Sequence, residues 1–209
     1  MTGQAPAEFG WWLASRAAGI TALLCITVAV GVGLALGGKV ARRPGWPRVL
    51  LAVHEHAAIA GLVAVGAHGV LLLGDGWLRA SAWDLAIPFV NDHARVWTGL
   101  GVVGGWLAAL LGLTFYARKR IGMRRWRALH RATILVYVLS VAHTLGSGSD
   151  AGQPWLQVAL LATGTPILFL FVLRVLPAPA PGAKPTPQPA RAPRPTTAQE
   201  RAAAWMRAP

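Results

Sequence analysis

Five apolar runs, separated by short polar connections, set the hydrophobic pattern of this chain. A hydrocarbon core roughly 30 Å thick needs about 20 apolar residues in one helix. Stretches near 11–36, 49–73, 96–117, 128–146 and 155–176 meet that length. They predict an all-α fold, a polytopic membrane helix bundle of about five transmembrane helices. A short polar segment, 1–9, precedes the bundle domain, 10–176. The first span opens on Trp11–Trp12, an interfacial anchor, and it is longer than a signal-peptide core and lacks a basic leader, so it is expected to be retained. From 177 to 209 the chain turns rich in Pro and Ala with scattered Arg, and the favoured reading is a disordered cytoplasmic tail. Its end, TTAQERAAAWMRAP, could instead form a short helix carrying Trp205 and Met206 against a membrane or a partner.

Composition sharpens that picture. Charged residues are only 13% of the 209, yet the net charge is +13. So positive a chain suggests nucleic acid, but the positives sit in the connections and the tail, which is the pattern of membrane orientation. No nucleic-acid partner is expected. The connection before the second span holds Lys39, Arg42, Arg43 and Arg48, and ARKRIGMRRWR before the fourth holds six bases; neither has an acid. The tail adds Lys184, Arg191, Arg194, Arg201 and Arg207. In a five-span bundle these regions share one side, which is therefore the cytoplasm, with the N-terminus outside. Glu8, Asp75, Asp84, Asp92 and Asp150 then fall on the outer side. The expected location is the plasma membrane, multi-pass, in contact with lipid. Cys25, the single cysteine, lies inside an apolar span and can form no internal disulfide.

The chemistry lies in histidines. His54 and His68 are fourteen residues apart in the second span, and His130 and His143 thirteen apart in the fourth. Such spacings separate the side chains by about 20 Å along a helix, one near each face of the bilayer. Both spans run from inside to outside, so His54 meets His130 in depth on the inner side and His68 meets His143 on the outer. Buried histidines in spans are costly and mark function more often than packing; the plain alternative is that each bonds a neighbouring helix. Two helices carrying two depth-matched pairs suit two stacked haems, each iron held by two imidazoles and confined to one-electron transfer. Fourteen residues return nearly to one face, whereas thirteen do not, so the fourth span is expected to bend, bulge or use different rotamers.

Other residues are weaker candidates. Arg127 and Arg131, with Arg124 and Arg125, flank His130 and could pair with haem propionates, although orientation accounts for most of them. Arg16, just inside the outer end of the first span, could snorkel to the interface or reach an outer-haem propionate. His56 points to another side of the helix from His54 and reads as an interfacial or helix-contact residue. His93 reads as a solvated loop residue, with a role near an electron acceptor as the alternative. The glycines of GLGVVGG follow no strand, so they are no dinucleotide fingerprint; they allow close helix or macrocycle approach.

These elements together resemble the ferric reductase-like transmembrane domain, the haem module of ferric reductases, NADPH oxidases and the membrane subunit of the bacterial methionine sulfoxide reductase system. The likeness rests on WWLASRAAG, on VHEH at the start of the second span, on DLAIPF before the third, and above all on RRWRALHRATILVYVLSVAHTLGSGSD. Within the last, Trp126, Leu129 and His130 followed by His143 are the most specific piece. The similarity covers roughly 10–176, nearest the stand-alone actinobacterial members. It implies haem b, two per chain, ligated by His54, His68, His130 and His143. The departures are five spans where many members have six, and no flavin or nicotinamide segment after the last span.

The expected function is therefore a di-haem b-type membrane cytochrome that moves electrons from a cytoplasmic-side donor to an outer acceptor, Fe(III) among the candidates. The donor would be a partner protein, a bound flavin carrier or the quinol pool. The alternatives are a haem subunit passing quinol electrons to an extracytoplasmic partner enzyme, and a haem-free membrane scaffold.

Overall fold

The computed structural model describes residues 6–38, 44–176 and 198–207, and every regular element among them is helical. In chain order these are α1 (Pro6–Gly37), α2 (Trp46–Leu72), α3 (Ala82–Ala86), α4 (Arg95–Ile121), α5 (Met123–His130), α6 (Thr133–Ser147), α7 (Pro154–Val175) and α8 (Ala198–Trp205). Five stretches are long and apolar enough to cross a membrane: Phe9–Gly37, Trp46–Leu72, Arg95–Ile121, Met123–Ser147 and Pro154–Val175. The fourth is α5 and α6 taken together.

Local chemistry explains the boundaries. α2 and α7 begin with proline in the first turn, where a missing N–H costs nothing. Gly122, at φ 89°, turns the chain between α4 and α5 in a conformation that a side chain disfavours. Between α5 and α6 the helix is interrupted at Arg131–Ala132: Ala132 N–H bonds the carbonyl of Leu129, three residues back, and the Thr133 hydroxyl takes the His130 carbonyl at 2.8 Å. Of the bend, bulge or different rotamers expected from the thirteen-residue spacing, the structure shows an interruption of the helix immediately after His130.

α1 packs on α2, α4 on α6, and α1 also on α6 and α7, with α2 touching α4. Contacts fix the directions. Gly33 lies against His54 and Gly19 against His68, so α1 and α2 are antiparallel. Gly101 against His143 and Gly104 against Leu139 make α4 and α6 antiparallel, whereas Gly31 against Ile167 and Gly37 against Arg174 make α1 and α7 parallel. The connections 73–94 and 148–153 therefore share one end of the bundle, called the upper end below. Gly38, Gly45 and Gly122 lie at the lower end.

The interior is built of small and polar residues: Ser15, Ala22, Thr27, Ala29, Gly61, Ala64, Gly99 and Gly104 are buried. Large apolar side chains such as Leu24, Val63, Val70, Leu113 and Leu161 are more than half exposed. This inversion suits lipid, which solvates leucine as well as a protein core does and leaves close van der Waals packing to hold the helices. One compact apolar knot, Val30, Tyr137 and Ile167, joins α1, α6 and α7. α1–α7 form one unit, and α8 belongs to another. In α8 the chain is helical where disorder was the favoured expectation, with Trp205 and Met206 exposed. Residues 177–197, and the bases Lys39, Arg42 and Arg43 that entered the orientation argument, lie outside the described residues.

Candidate functional site

The histidines meet in two twos. The ring centres of His54 and His130 are 5.9 Å apart at the lower end, with planes at 82°. Those of His68 and His143 are 6.2 Å apart at the upper end, with planes at 72°. All four rings are partly buried. A metal–imidazole bond of roughly 2.0–2.1 Å, with each ring centre about 1.1 Å behind its nitrogen, places two coaxial ligands about 6.3 Å apart centre to centre. Both observed separations lie within a few tenths of an ångström of that value.

Three of the four rings are held by one repeated device. A glycine in the facing helix leaves a notch, and the carbonyl four residues before it takes the ring proton. His54 Nδ1–H donates to Ala29 O at 2.7 Å over Gly33, and His143 Nδ1–H to Trp97 O at 3.0 Å over Gly101. His68 Nδ1–H donates to Ser15 O at 2.8 Å over Gly19. Each carbonyl already accepts its own helix bond, and a second lone pair serves the ring. Ser15, fully buried, adds a further clasp. Its hydroxyl donates to His68 O at 3.1 Å while its oxygen lies 3.1 Å from Nδ1. Because a carbonyl can only accept, the proton is on Nδ1 and the lone pair on Nε2, the form in which imidazole binds a metal.

His130 is held differently. It stacks on Trp126, one turn earlier in α5, with ring centres 5.0 Å apart and planes at 23°. Phe115 of α4 meets the indole edge-on at 6.3 Å.

The upper pair borders a cavity of about 870 Å³ reaching from Ile26 and Leu62 up to the connection 73–94. That size lies within the roughly 300–1,000 Å³ usual for cofactor and small-molecule sites. His68 and His143 line it; His54 and His130 do not. Its cover is stiff. The Asp75 carboxylate, buried, accepts from Trp77 N–H at 2.9 Å, and Asn91 Oδ1 accepts from His93 N–H at 2.8 Å. α3 is closed by a capping box in which the Asp84 carboxylate takes the Ser81 N–H and hydroxyl, both at 2.7 Å. Those bonds, the backbone one foremost, hold the Asp84 carboxyl below its usual range. Trp106 Nε1–H of α4 ties the cover down through Ala86 O at 2.9 Å. Phe89, in the left-handed region at φ 67°, lays its ring over Gly99.

Arg16 lines the same cavity, and neither expectation for it foresaw its partner. Its Nε donates to Asp150 Oδ2 at 2.7 Å and its Nη2 to Asp150 Oδ1, a two-pronged pair joining α1 to the connection after α6. Arg127 and Arg131 are exposed beside His130 and have no acidic partner among the described residues. His56 is exposed and turns back to its own helix, Nδ1 to Ala52 O at 2.7 Å. His93 is exposed, lies edge-on to Trp77 and borders the upper cavity. The glycines of GLGVVGG admit side chains: Gly99 takes Phe89, Gly101 His143, Gly104 Leu139 and Gly105 Val65.

Comparison with protein-family models, with curated proteins and with solved structures returns no match for this chain. The site has to be judged on its own chemistry. No group of three or more His, Cys, Asp or Glu side chains able to hold a metal occurs among the described residues. A haem asks for two, since the porphyrin supplies four nitrogens. The upper pair fits that demand in ring separation, tautomer and adjoining space, and the lower pair in ring separation and in the His54 tautomer. Reading the sequence alone missed Ser15, Gly19 and Gly33 as site residues and Asp150 as the partner of Arg16, whereas Gly101 lies in GLGVVGG, where close approach was expected. One signal was there: Gly19 and Gly33 are fourteen apart, the same interval as His54 and His68.

Proposed function

We propose that this chain is a di-haem b-type cytochrome of the ferric reductase-like kind, carrying electrons across a plasma membrane from a cytoplasmic donor to an outer acceptor. The observation that carries the proposal is the geometry of the two histidine twos, with ring centres 5.9 and 6.2 Å apart and three of four tautomers set by backbone carbonyls. Haem bound through two imidazoles has no open position at iron and exchanges one electron at a time. His54 and His130 would hold the inner group and His68 and His143 the outer. The protein's part is preorganisation. Ala29, Ser15 and Trp97 fix ring orientation and raise the basicity of the ligating nitrogen by accepting the proton opposite it. The small residues between helices let the bundle close around the groups, and the apolar outer faces keep them in a low-dielectric shell. Arg16, Arg127 and Arg131 are the cations within reach of one end or the other to meet propionates.

A dithionite-reduced minus oxidised spectrum of the purified protein, with haem quantified per chain, tests this. Two haems are expected in the wild type. His68→Ala and His143→Ala should remove the same one, and His54→Ala and His130→Ala the other. Protein made with ample haem supply that carries none would leave a membrane scaffold. Reduction by a quinol analogue, set against reduction by a flavin reductase, identifies the class of donor.

A further inference from the structure

Two irregularities in the lower site fall on the same residue. His130 is the one histidine of the four whose ring is oriented by an aromatic stack instead of a glycine notch and a carbonyl. The indole that orients it, Trp126, has its own Nε1–H buried with no hydrogen-bond partner among the described residues. A buried donor left unpaired is costly, and native proteins rarely leave one without a reason. Trp126 is also not free to turn away. It lies between His130, at 5.0 Å, and Phe115, at 6.3 Å, and it is one helical turn from His130, on the same face of α5.

We infer that Trp126 is a positioning residue of the lower redox site, stacking on His130 to set its ring plane and giving its Nε1–H to a carboxylate that arrives with the bound cofactor. The acceptor has to be supplied from outside the described residues, because they leave the donor unmet. It has to be an anion or a strong oxygen acceptor to be worth a buried N–H. A haem propionate meets both conditions, and the exposed cations Arg127 and Arg131 beside the same helix end favour negative charge there. The inference rests on the haem reading above and adds a residue and an atom to it. The physical effect has a sign. An N–H that stabilises a carboxylate lowers the negative potential felt at the metal, so it favours the reduced state.

The experiment uses the full chain in the His143→Ala background, which on the reading above keeps only the lower haem and so gives a single redox wave. Trp126→Phe keeps a stacking ring and removes the N–H. The expected result is unchanged haem content with a midpoint potential shifted negative. Trp126→His, which restores a ring N–H, should bring the potential back toward the parent. Trp126→Leu removes the stack as well, and should alter the low-spin electron paramagnetic resonance g-values that report imidazole orientation. A Trp126→Phe protein with the parent's potential, or a Trp126→Leu protein with the parent's g-values, would overturn the inference while leaving the haem reading intact. Parent protein that binds no haem would overturn both. If Trp126→Phe fails to accumulate, the same potential measured on protein carrying a tryptophan analogue without the ring N–H at position 126 alone gives the same two outcomes.

Discussion

Replacing the notch glycines by alanine converts the structure into a ranked prediction. A Cβ built on Gly101 would lie 2.5 Å from His143 Nδ1, one on Gly19 3.0 Å from His68 Nδ1, and one on Gly33 3.2 Å from His54 Cε1. Ordinary contact begins near 3.4 Å, so the rings must retreat by roughly 0.9, 0.4 and 0.2 Å respectively. Metal–ligand distances tolerate deviations of about 0.2 Å. Gly101→Ala and Gly19→Ala should therefore cost the upper haem, the first more completely, while Gly33→Ala leaves the lower haem bound. Global stability is the wrong readout. Overpacking costs about 1–3 kcal/mol and a lost ring-to-carbonyl bond about 1 more, and alanine returns about 1 kcal/mol of helix propensity, so a similar net loss of about 1–3 kcal/mol is expected at all three positions and does not tell one site from the other. Haem per chain, resolved into two redox waves, reads the effect directly. If Gly33→Ala loses haem while Gly101→Ala keeps both, the notch argument is wrong.

Further outcomes follow from the upper end. Arg16→Gln should destabilise the protein more than Asp150→Asn, because the Arg16 side chain is 35% exposed and can rehydrate, whereas the Asp150 side chain, at 10%, cannot. Thermal unfolding of both singles and the double in one detergent measures this, and a double no worse than Arg16→Gln shows the coupling. The Asp84 carboxyl has its pKa depressed by Ser81, so the capping box contributes stability that is present above the unfolded value of about 3.9 and lost as pH falls through the lower folded one. Protection against hydrogen exchange around α3, taken relative to the unstructured rate at the same pH, should fall below about pH 4 in the wild type, and Ser81→Ala should already lack that protection at neutral pH.

The five spans were legible because lipid imposes a length and a polarity on each segment separately. The terminal residues moved by a few positions, most where Arg118–Ile121 extend α4 and Met123–Arg127 begin the fourth span earlier. A bend, a bulge or different rotamers in the fourth span were expected, because thirteen residues do not close a whole number of turns, but the place of the interruption, Arg131–Ala132, was not. The short helix at the end of the tail was weighed and not favoured: alanine-rich helices of eight residues are marginal by themselves, and composition carries little weight against that.

The histidine intervals and the alternation of spans are properties of the chain read locally, and the sequence by itself determined them. It determined the depth of each histidine, but not what each one faces. That Ala29, Ser15 and Trp97 turn carbonyls to the rings, that Arg16 finds Asp150 at a distance of 134 positions, and that Phe115 of α4 meets Trp126 were decided by tertiary structure alone. The reason is physical. Depth in a bilayer follows from counting residues along one helix, whereas contact depends on the register and rotation of one helix against another. Small residues on several helices permit many such registers, and the one adopted is selected only when all the helices pack together.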